Sequence, residues 1–312
     1  MNIRDFLGVV RELSFTEIRH EAMVPPRILL YAPDQETGSS WRAKIFGEDS
    51  VPFIEVESDR ASNVDPLAFD AIVSIGTLSP DLSRRWADLF RRANEEMRLV
   101  EVQTGQMRSD DDLENLRRVV CDLCRDRSVA FGRYMEQMRT AATCEIIADT
   151  SRVNAQFAAL SNIPALIPLV GGIFAAGADF LVLTKNQLMM MYRLAAIYDR
   201  DLDDRWRIYS ELAPIVGFGF LWRTTARQIA AIIPFALAAV PKVVIAFAGT
   251  YAIGQAARVY YERGEKLTGE ELSQVYKEGL DALDAARYRL GLGANQKDRP
   301  ADPAIAVSTE RT

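Results

Sequence analysis

The chain has 312 residues, 49% of them hydrophobic and 26% charged, a composition typical of a folded globular protein rather than a disordered or fibrous one. Its formal net charge of -6 argues against a dedicated nucleic-acid-binding protein, which normally carries a basic excess. The single histidine excludes a His-rich metal site, and three cysteines in a chain of this length fit a reducing compartment rather than a disulfide framework. Residues 1–19 carry charges throughout and lack the apolar core of a signal peptide.

The charged residues are distributed unevenly along the chain. Between Val153 and Ala257 there are 14 of them, 8 basic and 6 acidic, whereas the flanking segments are far more highly charged and acidic on balance. A composition shift of this size indicates a domain boundary near residue 150. We therefore predict four parts: an α/β domain over 1–106, a long connecting helix over 107–152, an apolar helical domain over 153–291, and a disordered tail over 292–312.

The first half alternates predicted helices with predicted strands. An amphipathic helix opens the chain and ends before Pro25, and apolar runs predict strands at 27–32, 52–56, 69–75 and 99–102. Helices are predicted at 40–46 and 80–96, and Ser109 with Asp112 has the capping-box spacing that begins a charged helix running from 110 towards 151. Alternation of this kind predicts a parallel sheet covered by helices.

The turn after the first predicted strand falls in the frame of a phosphate-binding loop, G-x-x-x-x-G-K-[ST]. Gly38 and Ser40 occupy the second glycine and the hydroxyl position, but Pro33 replaces the first glycine and Ser39 replaces the lysine. A serine cannot supply the positive charge that faces the phosphates, and proline removes one of the backbone N–H groups that the loop presents to anions. Gly38, Ser39 and Ser40 are therefore candidates for a degenerate phosphate loop, and we expect no cofactor to bind there.

In this frame the first half resembles the GTPase domains of the Era and dynamin-like type. The segment from Gly38 to Gly47 lies where those domains have G-K-S-S followed by the first helix, and the strand at 69–75 resembles their apolar strand before a later helix. The guanine-reading N-K-x-D is replaced by Gln103-Thr104-Gly105-Gln106, and the stretch from Asp59 to Asp70 holds no D-x-x-G. The resemblance implies a degenerate G-like α/β domain, and a coincidental strand–turn–helix unit is the alternative.

The second half reads as helical throughout and resembles the YcjF-like family of GTPase-associated helical proteins. The residues that carry this resemblance are Ile163 to Gly172, Leu183 to Gln187, Met190 and Met191, Leu194 to Tyr198, Ala213 to Gly217, Arg223 and Arg227, Ile233 and Pro234, Gly249 and Thr250, Ala252 to Gly254, Tyr260 or Tyr261, and Gly264. The resemblance implies a helical architecture that is frequently paired with G domains. It implies no reaction, because the family has no established one.

The apolar stretch from Ile163 to Leu183 is long enough to span a membrane, with Asp179 as its acidic residue. A later apolar pair of segments is divided by Lys242, and we consider that Asp179 and Lys242 neutralise one another across a helical bundle. Arg223 and Arg227 lie at the end of an apolar run and mark a water boundary. We name Asp179, Gln187, Arg223, Arg227 and Lys242 as structural or membrane-facing candidates; a soluble bundle with an apolar core is the alternative.

These patterns predict a non-enzymatic accessory or scaffold protein at the cytoplasmic face of the inner or plasma membrane. Its expected partners are membrane lipid and an active GTPase, with no role for nucleic acid. Two alternatives remain: an active GTPase that binds GTP through an altered loop, and a soluble helical interaction protein. Cys121 and Cys124 form a C-x-x-C on a charged helix without a second pair of ligands, so we expect no zinc site.

Overall fold

The computed structural model of the chain describes residues 16–58, 64–160, 175–204, 208 and 240–265, several positions between 267 and 281, and residues 305–308. For residues 175–181, 240–242 and 305–308 it describes the backbone. The chain divides into two compact units between Glu145 and Ile146. The first unit holds the described residues from His20 to Glu145 together with 305–308, and the second holds 16–19 and the described residues from Ile146 to 281.

The first unit is an α/β domain, as the alternating pattern predicts. Its elements in chain order are the end of α1 (Thr16–Met23), β1 (Ile28–Ala32), α2 (Gln35–Phe46), β2 (Ile54–Ser58), β3 (Ala71–Ile75), α3 (Pro80–Ala93), β4 (Leu99–Val102), α4 (Asp110–Leu123), α5 (Ser128–Tyr134), the start of α6 (Arg139–Leu160), and β5 (Ile305–Ser308).

The strands form one sheet in the order β2-β1-β3-β4-β5. The first four are parallel, with Ile28 of β1 opposite Ile54 of β2 and Ala71 of β3. Helix α2 connects β1 to β2 and helix α3 connects β3 to β4, which are the crossover connections that parallel pairing requires. All five residues of β1 and of β3 are buried, which is the pattern of strands at the centre of a covered sheet.

Helix α3 covers one face of the sheet because its apolar residues recur at helical spacing. Leu82, Trp86 and Phe90 are four residues apart and pack in one cluster with sheet residues that include Leu29, Tyr31, Ile72 and Leu99. The rings of Tyr31 and Trp86 meet edge to face, with centroids 5.7 Å apart.

The structure corrects several predicted element boundaries in this unit, and β2 covers Ile54–Ser58 rather than 52–56. Helix α2 begins at Gln35 rather than Ser40. Helix α3 ends at Ala93, before the predicted Glu96, because Asn94 adopts the left-handed conformation with φ 57° and closes the helix. The predicted helix from 110 to 151 is three helices, since Cys124 leaves the helical conformation and a 3₁₀ turn follows at 125–127.

The second unit is helical in its described part, as predicted. It contains most of α6, together with α7 (Ala175–Ile197) and α8 (Val240–Arg263). Ala155 of α6 and Phe247 of α8 share a buried cluster. A side chain at Gly254 of α8 would lie 2.7 Å from Ile147, so this glycine permits the close approach of α8 to α6.

The C-terminal segment differs from the expectation. Residues 292–312 were expected to be a disordered tail, yet Ile305–Ser308 form β5 and pair antiparallel with β4. The first part of the predicted opening helix, and the apolar stretches over 161–174 and 209–239, lie outside the described residues.

Candidate functional site

The carboxyl edge of the parallel sheet is the first place to look for a ligand site. In open α/β sheets ligands bind outside the carboxyl ends of the strands, and anions bind at helix N-termini. In this chain α2, α3 and α4 begin just after β1, β3 and β4. The predicted phosphate loop corresponds to the connection from β1 to α2.

That connection is too short to form a phosphate-binding loop, because only Pro33 and Asp34 separate β1 from α2. Asp34 is the N-cap residue of α2, in the extended conformation that caps require. One oxygen of its carboxylate accepts a hydrogen bond from the Thr37 backbone N–H at 2.8 Å, and the other accepts one from the Thr37 hydroxyl at 2.9 Å. The negative charge at this helix N-terminus is therefore supplied by the chain itself.

The three predicted phosphate-loop residues lie within helix α2. The backbone N–H of Gly38 donates a helical hydrogen bond to Asp34 O at 3.0 Å. This N–H is therefore already used within the helix. A Cβ atom at Gly38 would lie 2.3 Å from Val56 Cγ1, so the glycine lets α2 approach the sheet closely. Ser39 and Ser40 are exposed on the helix. Sequence reasoning placed Gly38 in a loop, whereas its role in this structure is packing.

The N-termini of α3 and α4 are capped in the same way. The Ser79 hydroxyl accepts a hydrogen bond from the Leu82 N–H at 3.3 Å. Ser109 and Asp112 form the predicted capping box, in which each side chain accepts a hydrogen bond from the other residue's backbone N–H. Hydrogen bonds from the backbone of Arg108, and from the side chain and backbone of Ser109, lower the pKa of Asp112 below its ordinary value.

The charges near these N-termini are mainly negative. Exposed acidic residues occupy the first turns of the three helices: Asp34 and Glu36 at α2, Asp81 at α3, and Asp110 and Asp111 at α4. Carboxylates complement a helix N-terminus as a phosphate would, so they stabilise the helices and repel an incoming anion. This arrangement is unfavourable for a phosphate group.

The neighbouring loops are joined to one another by side chains. Glu101 of β4 accepts a hydrogen bond from the Leu78 N–H at 2.9 Å, and Gln103 donates its amide to the Thr77 hydroxyl at 3.1 Å. Gln103 begins the segment that was compared with the guanine-reading motif, and residues 104–106 form a 3₁₀ turn. Glu101 was not identified from the sequence, because a single acid within an apolar strand carries no pattern that indicates its partner.

In the helical unit, Gln187 belongs to a polar cluster that we define as Asn154, Asn186, Gln187 and Thr250. Asn154 Nδ2 donates to Thr250 Oγ1 at 2.9 Å, and Asn186 Nδ2 donates to Asn154 Oδ1 at 2.8 Å. Gln187 Nε2 donates to the same Thr250 oxygen at 3.1 Å. Asn154 and Thr250 are buried, so these bonds satisfy polar groups that have left water. The cluster links α6, α7 and α8.

The structure gives less detail for the other residues that the sequence analysis named in this half of the chain. Asp179 lies on α7 and Lys242 on α8, where the structure describes the backbone, so their predicted neutralisation stays a prediction. Arg223 and Arg227 lie outside the described residues. Within the part of the chain that the structure describes, no helix is long and apolar enough to cross a membrane.

The two cysteines of the C-x-x-C motif are both buried. Cys124 Sγ donates to Asp70 O at 3.4 Å, and burial raises the pKa of Cys124 to about 12. Burial also raises the pKa of Cys121. Among the described residues there is no group of three or more acidic, histidine or cysteine side chains placed to hold a metal ion.

Comparisons with known proteins identify no relative: no protein-family model matches the chain, and no match is found among curated proteins or solved structures.

Proposed function

We propose that this chain is a non-enzymatic accessory protein whose first unit is a nucleotide-free, GTPase-like domain and whose helical unit associates with a membrane. The observation that carries the proposal is the Asp34 cap at the start of α2. It supplies a negative charge at the position where a phosphate-binding loop would receive a phosphate group.

The proposal that no nucleotide binds rests on several features acting together. A phosphate-binding loop needs free backbone N–H groups and a lysine. The Gly38 N–H bonds to Asp34 O, the lysine position is Ser39, and acidic side chains surround the helix N-termini. Each feature weakens phosphate binding by itself, and together they engage the Thr37 and Gly38 N–H groups and leave the turn without the lysine's positive charge.

Equilibrium dialysis with labelled GTP and ATP tests this part. We expect no saturable binding at millimolar nucleotide for the natural chain, and none for Ser39→Lys, which restores the lysine on an exposed position of α2. Ser39→Ala is the matched control for any change in folding. Saturable binding by the natural chain would favour the active-GTPase alternative, and binding by Ser39→Lys alone would show that the missing lysine is the sole defect.

The membrane part of the proposal is supported by the sequence of the second unit. No charged residue occurs between Val153 and Ala178, and the amide nitrogens of the polar cluster donate hydrogen bonds to side chains on other helices. Such bonds can form in an apolar solvent, where unpaired polar groups are costly. We place the protein at the cytoplasmic face of the inner or plasma membrane.

Alkaline carbonate extraction of membranes from cells that express the full chain tests this placement. We expect the protein to stay in the pellet and to require detergent for release. Recovery in the supernatant would overturn the membrane part and favour a soluble helical interaction protein.

The partner that we propose is an active GTPase, and the support for it is the resemblance of the two halves to GTPase and GTPase-associated proteins. Purification of the tagged full chain in mild detergent, followed by mass spectrometry, tests it. We expect a G-domain protein to co-purify in proportion to the bait. Its absence from repeated preparations would overturn this partner while leaving the nucleotide result unaffected.

A further inference from the structure

The outer edge of β4 is covered by the C-terminal strand of the same chain. β4 is the last strand of the parallel sheet, and β5 pairs with it antiparallel along its whole length, from Leu99 opposite Ser308 to Val102 opposite Ile305. An uncovered edge strand presents unpaired N–H and C=O groups that can pair with another chain. β5 therefore closes the edge that would otherwise be open.

The covered edge is strongly apolar. Val100 and Val102 are fully buried, and Leu99 is buried in the cluster beneath α3. The pairing residues of β5 include Ile305 and Val307, which are β-branched and favour strands.

The cover is short and is joined to the rest of the chain by a long segment. β5 has four residues, and residues 282–304 connect it to the last described residue of the helical unit. At about 3.3 Å per residue this connection can extend to roughly 75 Å, several times the spacing of neighbouring strands. The pairing covers four residues and so involves few backbone hydrogen bonds, each of small net stabilisation, so the covalent connection contributes much of what holds β5 on β4.

We propose that the β4 edge also accepts β5 of a second copy of this chain, so that two chains pair by reciprocal exchange of their C-terminal strands. Every copy carries the strand that fits this edge, and the contacts made in exchange are identical to those made within one chain. Only the covalent connection to the rest of the chain then favours the closed monomer, because it raises the concentration of β5 near its own β4 edge. The exchange is self-complementary and closes as a symmetric dimer.

The register provides a direct test through engineered cysteines. Val100 and Val307 are opposite one another, and both strand-pair types hold opposite Cα atoms about 4.5–5.5 Å apart, within disulfide range. The double variant Val100→Cys/Val307→Cys should close a disulfide within one chain in dilute solution. Failure to close, in a protein with unchanged circular dichroism, would overturn the pairing itself.

Mixing the two single variants then tests exchange. Val100→Cys and Val307→Cys, incubated together near millimolar concentration and oxidised, should give a covalent dimer with a 100–307 linkage found by peptide mass spectrometry. The matched control is Val100→Cys mixed with Ala306→Cys, because position 306 pairs with Glu101 and not with Val100. The control mixture should lack the linked dimer. No linked dimer from the first mixture, while the double variant closes, would overturn the second copy as the occupant.

A proline pair tests whether the dimer depends on β5. Ala306→Pro/Val307→Pro removes both backbone N–H groups, one of which must face β4 because successive residues alternate in their hydrogen bonding. The dimer measured by sedimentation at high concentration should be lost in this variant and retained in Thr309→Pro, which lies beyond the strand. A dimer that survives the double proline would show that another surface joins the copies. All of these measurements are made in the same mild detergent, and none of them reads nucleotide binding or membrane association, so their outcome is independent of the proposed function.

Discussion

At the residue scale, the Ser109–Asp112 capping box links the stability of α4 to pH. The hydrogen bonds to its carboxylate lower the pKa of Asp112, so the ionised form stabilises the folded state. The stability that the ionised Asp112 carboxylate adds to the folded state is fully present above the ordinary pKa of an aspartate. It is lost as the pH falls through the lowered pKa of Asp112 in the folded state. Ser109→Ala removes the cap, and we expect it to cost about 1 kcal/mol at neutral pH.

Urea unfolding at neutral and at acidic pH measures both effects. Asp112→Asn should be less stable than the natural chain at neutral pH and should lose less stability on acidification. Asp111→Asn is a suitable control, because Asp111 is exposed and lies outside the capping box. If the Asp112 and Asp111 variants lost equal stability on acidification, the capping-box carboxylate of Asp112 would not be the source of the pH dependence.

Also at the residue scale, the buried thiols should be unreactive. Burial raises the pKa of Cys124 to about 12 and raises that of Cys121 as well, so neither is appreciably in the nucleophilic thiolate form at pH 8. We expect iodoacetamide to leave both unlabelled in the folded protein and to label both in guanidinium, as read by peptide mass spectrometry. Labelling of Cys124 in the folded protein at the rate seen in guanidinium would show that the site is open.

At the element scale, Gly38 holds α2 close to the sheet. Gly38→Ala would place a Cβ atom 2.3 Å from Val56 Cγ1 and 3.2 Å from Ala32 Cβ. Alanine favours a helix by about 1 kcal/mol over glycine, but overpacking of this kind costs about 1–3 kcal/mol. We therefore expect a net loss of up to about 2 kcal/mol in urea unfolding.

Ser39→Ala on the same helix provides the comparison. Ser39 is exposed, so the substitution changes helix propensity without changing the packing, and we expect its stability to equal or slightly exceed that of the natural chain. A stabilising Gly38→Ala would mean that α2 can move away from β2 at little cost.

Much of the first unit's fold could be predicted from local sequence. The apolar runs gave β4 at its exact bounds and β1 and β3 within two residues, because buried parallel strands are continuous apolar segments. The start of α2 was not predicted, because the residue types of Asp34, Thr37 and Gly38 are as common in turns as at the beginning of a helix. The packing of Gly38 that favours the helix depends on Val56, eighteen positions further along the chain.

Two other errors have the same physical origin. The charged pattern from 110 to 151 contains no proline, so nothing local indicates that the helix stops at Cys124, where the thiol meets the Asp70 carbonyl. β5 is four residues in a polar, proline-containing segment, and it forms a strand because a distant edge is available to it. The polar cluster was likewise not predictable, because it joins residues of three separate helices.

At the scale of the whole molecule, the division inside α6 predicts that the two units respond separately to substitution. Gly38→Ala should raise amide hydrogen exchange in β1, β2 and β3 and leave α8 unchanged. Asn154→Ala breaks two bonds of the buried polar cluster and should raise exchange in α7 and α8 while leaving the sheet unchanged.

Hydrogen-exchange mass spectrometry of the two variants measures this directly. The units form separate contact clusters, so effects at sites in different units should add when the substitutions are combined. Increased exchange across both units from either substitution alone would show that the molecule unfolds as one cooperative body.

The Asp34 cap also bears on how this chain can change over time. A phosphate-binding site at this edge would need a longer turn, a lysine and a helix start freed of its own carboxylate. Loss of Asp34 alone would weaken α2 at once, with no ligand to compensate. A lysine at position 39 alone would lie on the exposed surface of α2, whose first turn is already capped by Asp34. The change to a nucleotide site would therefore begin with a loss of stability at Asp34, and the lysine alone would bring no ligand, so selection for stability disfavours a phosphate-binding turn at this edge.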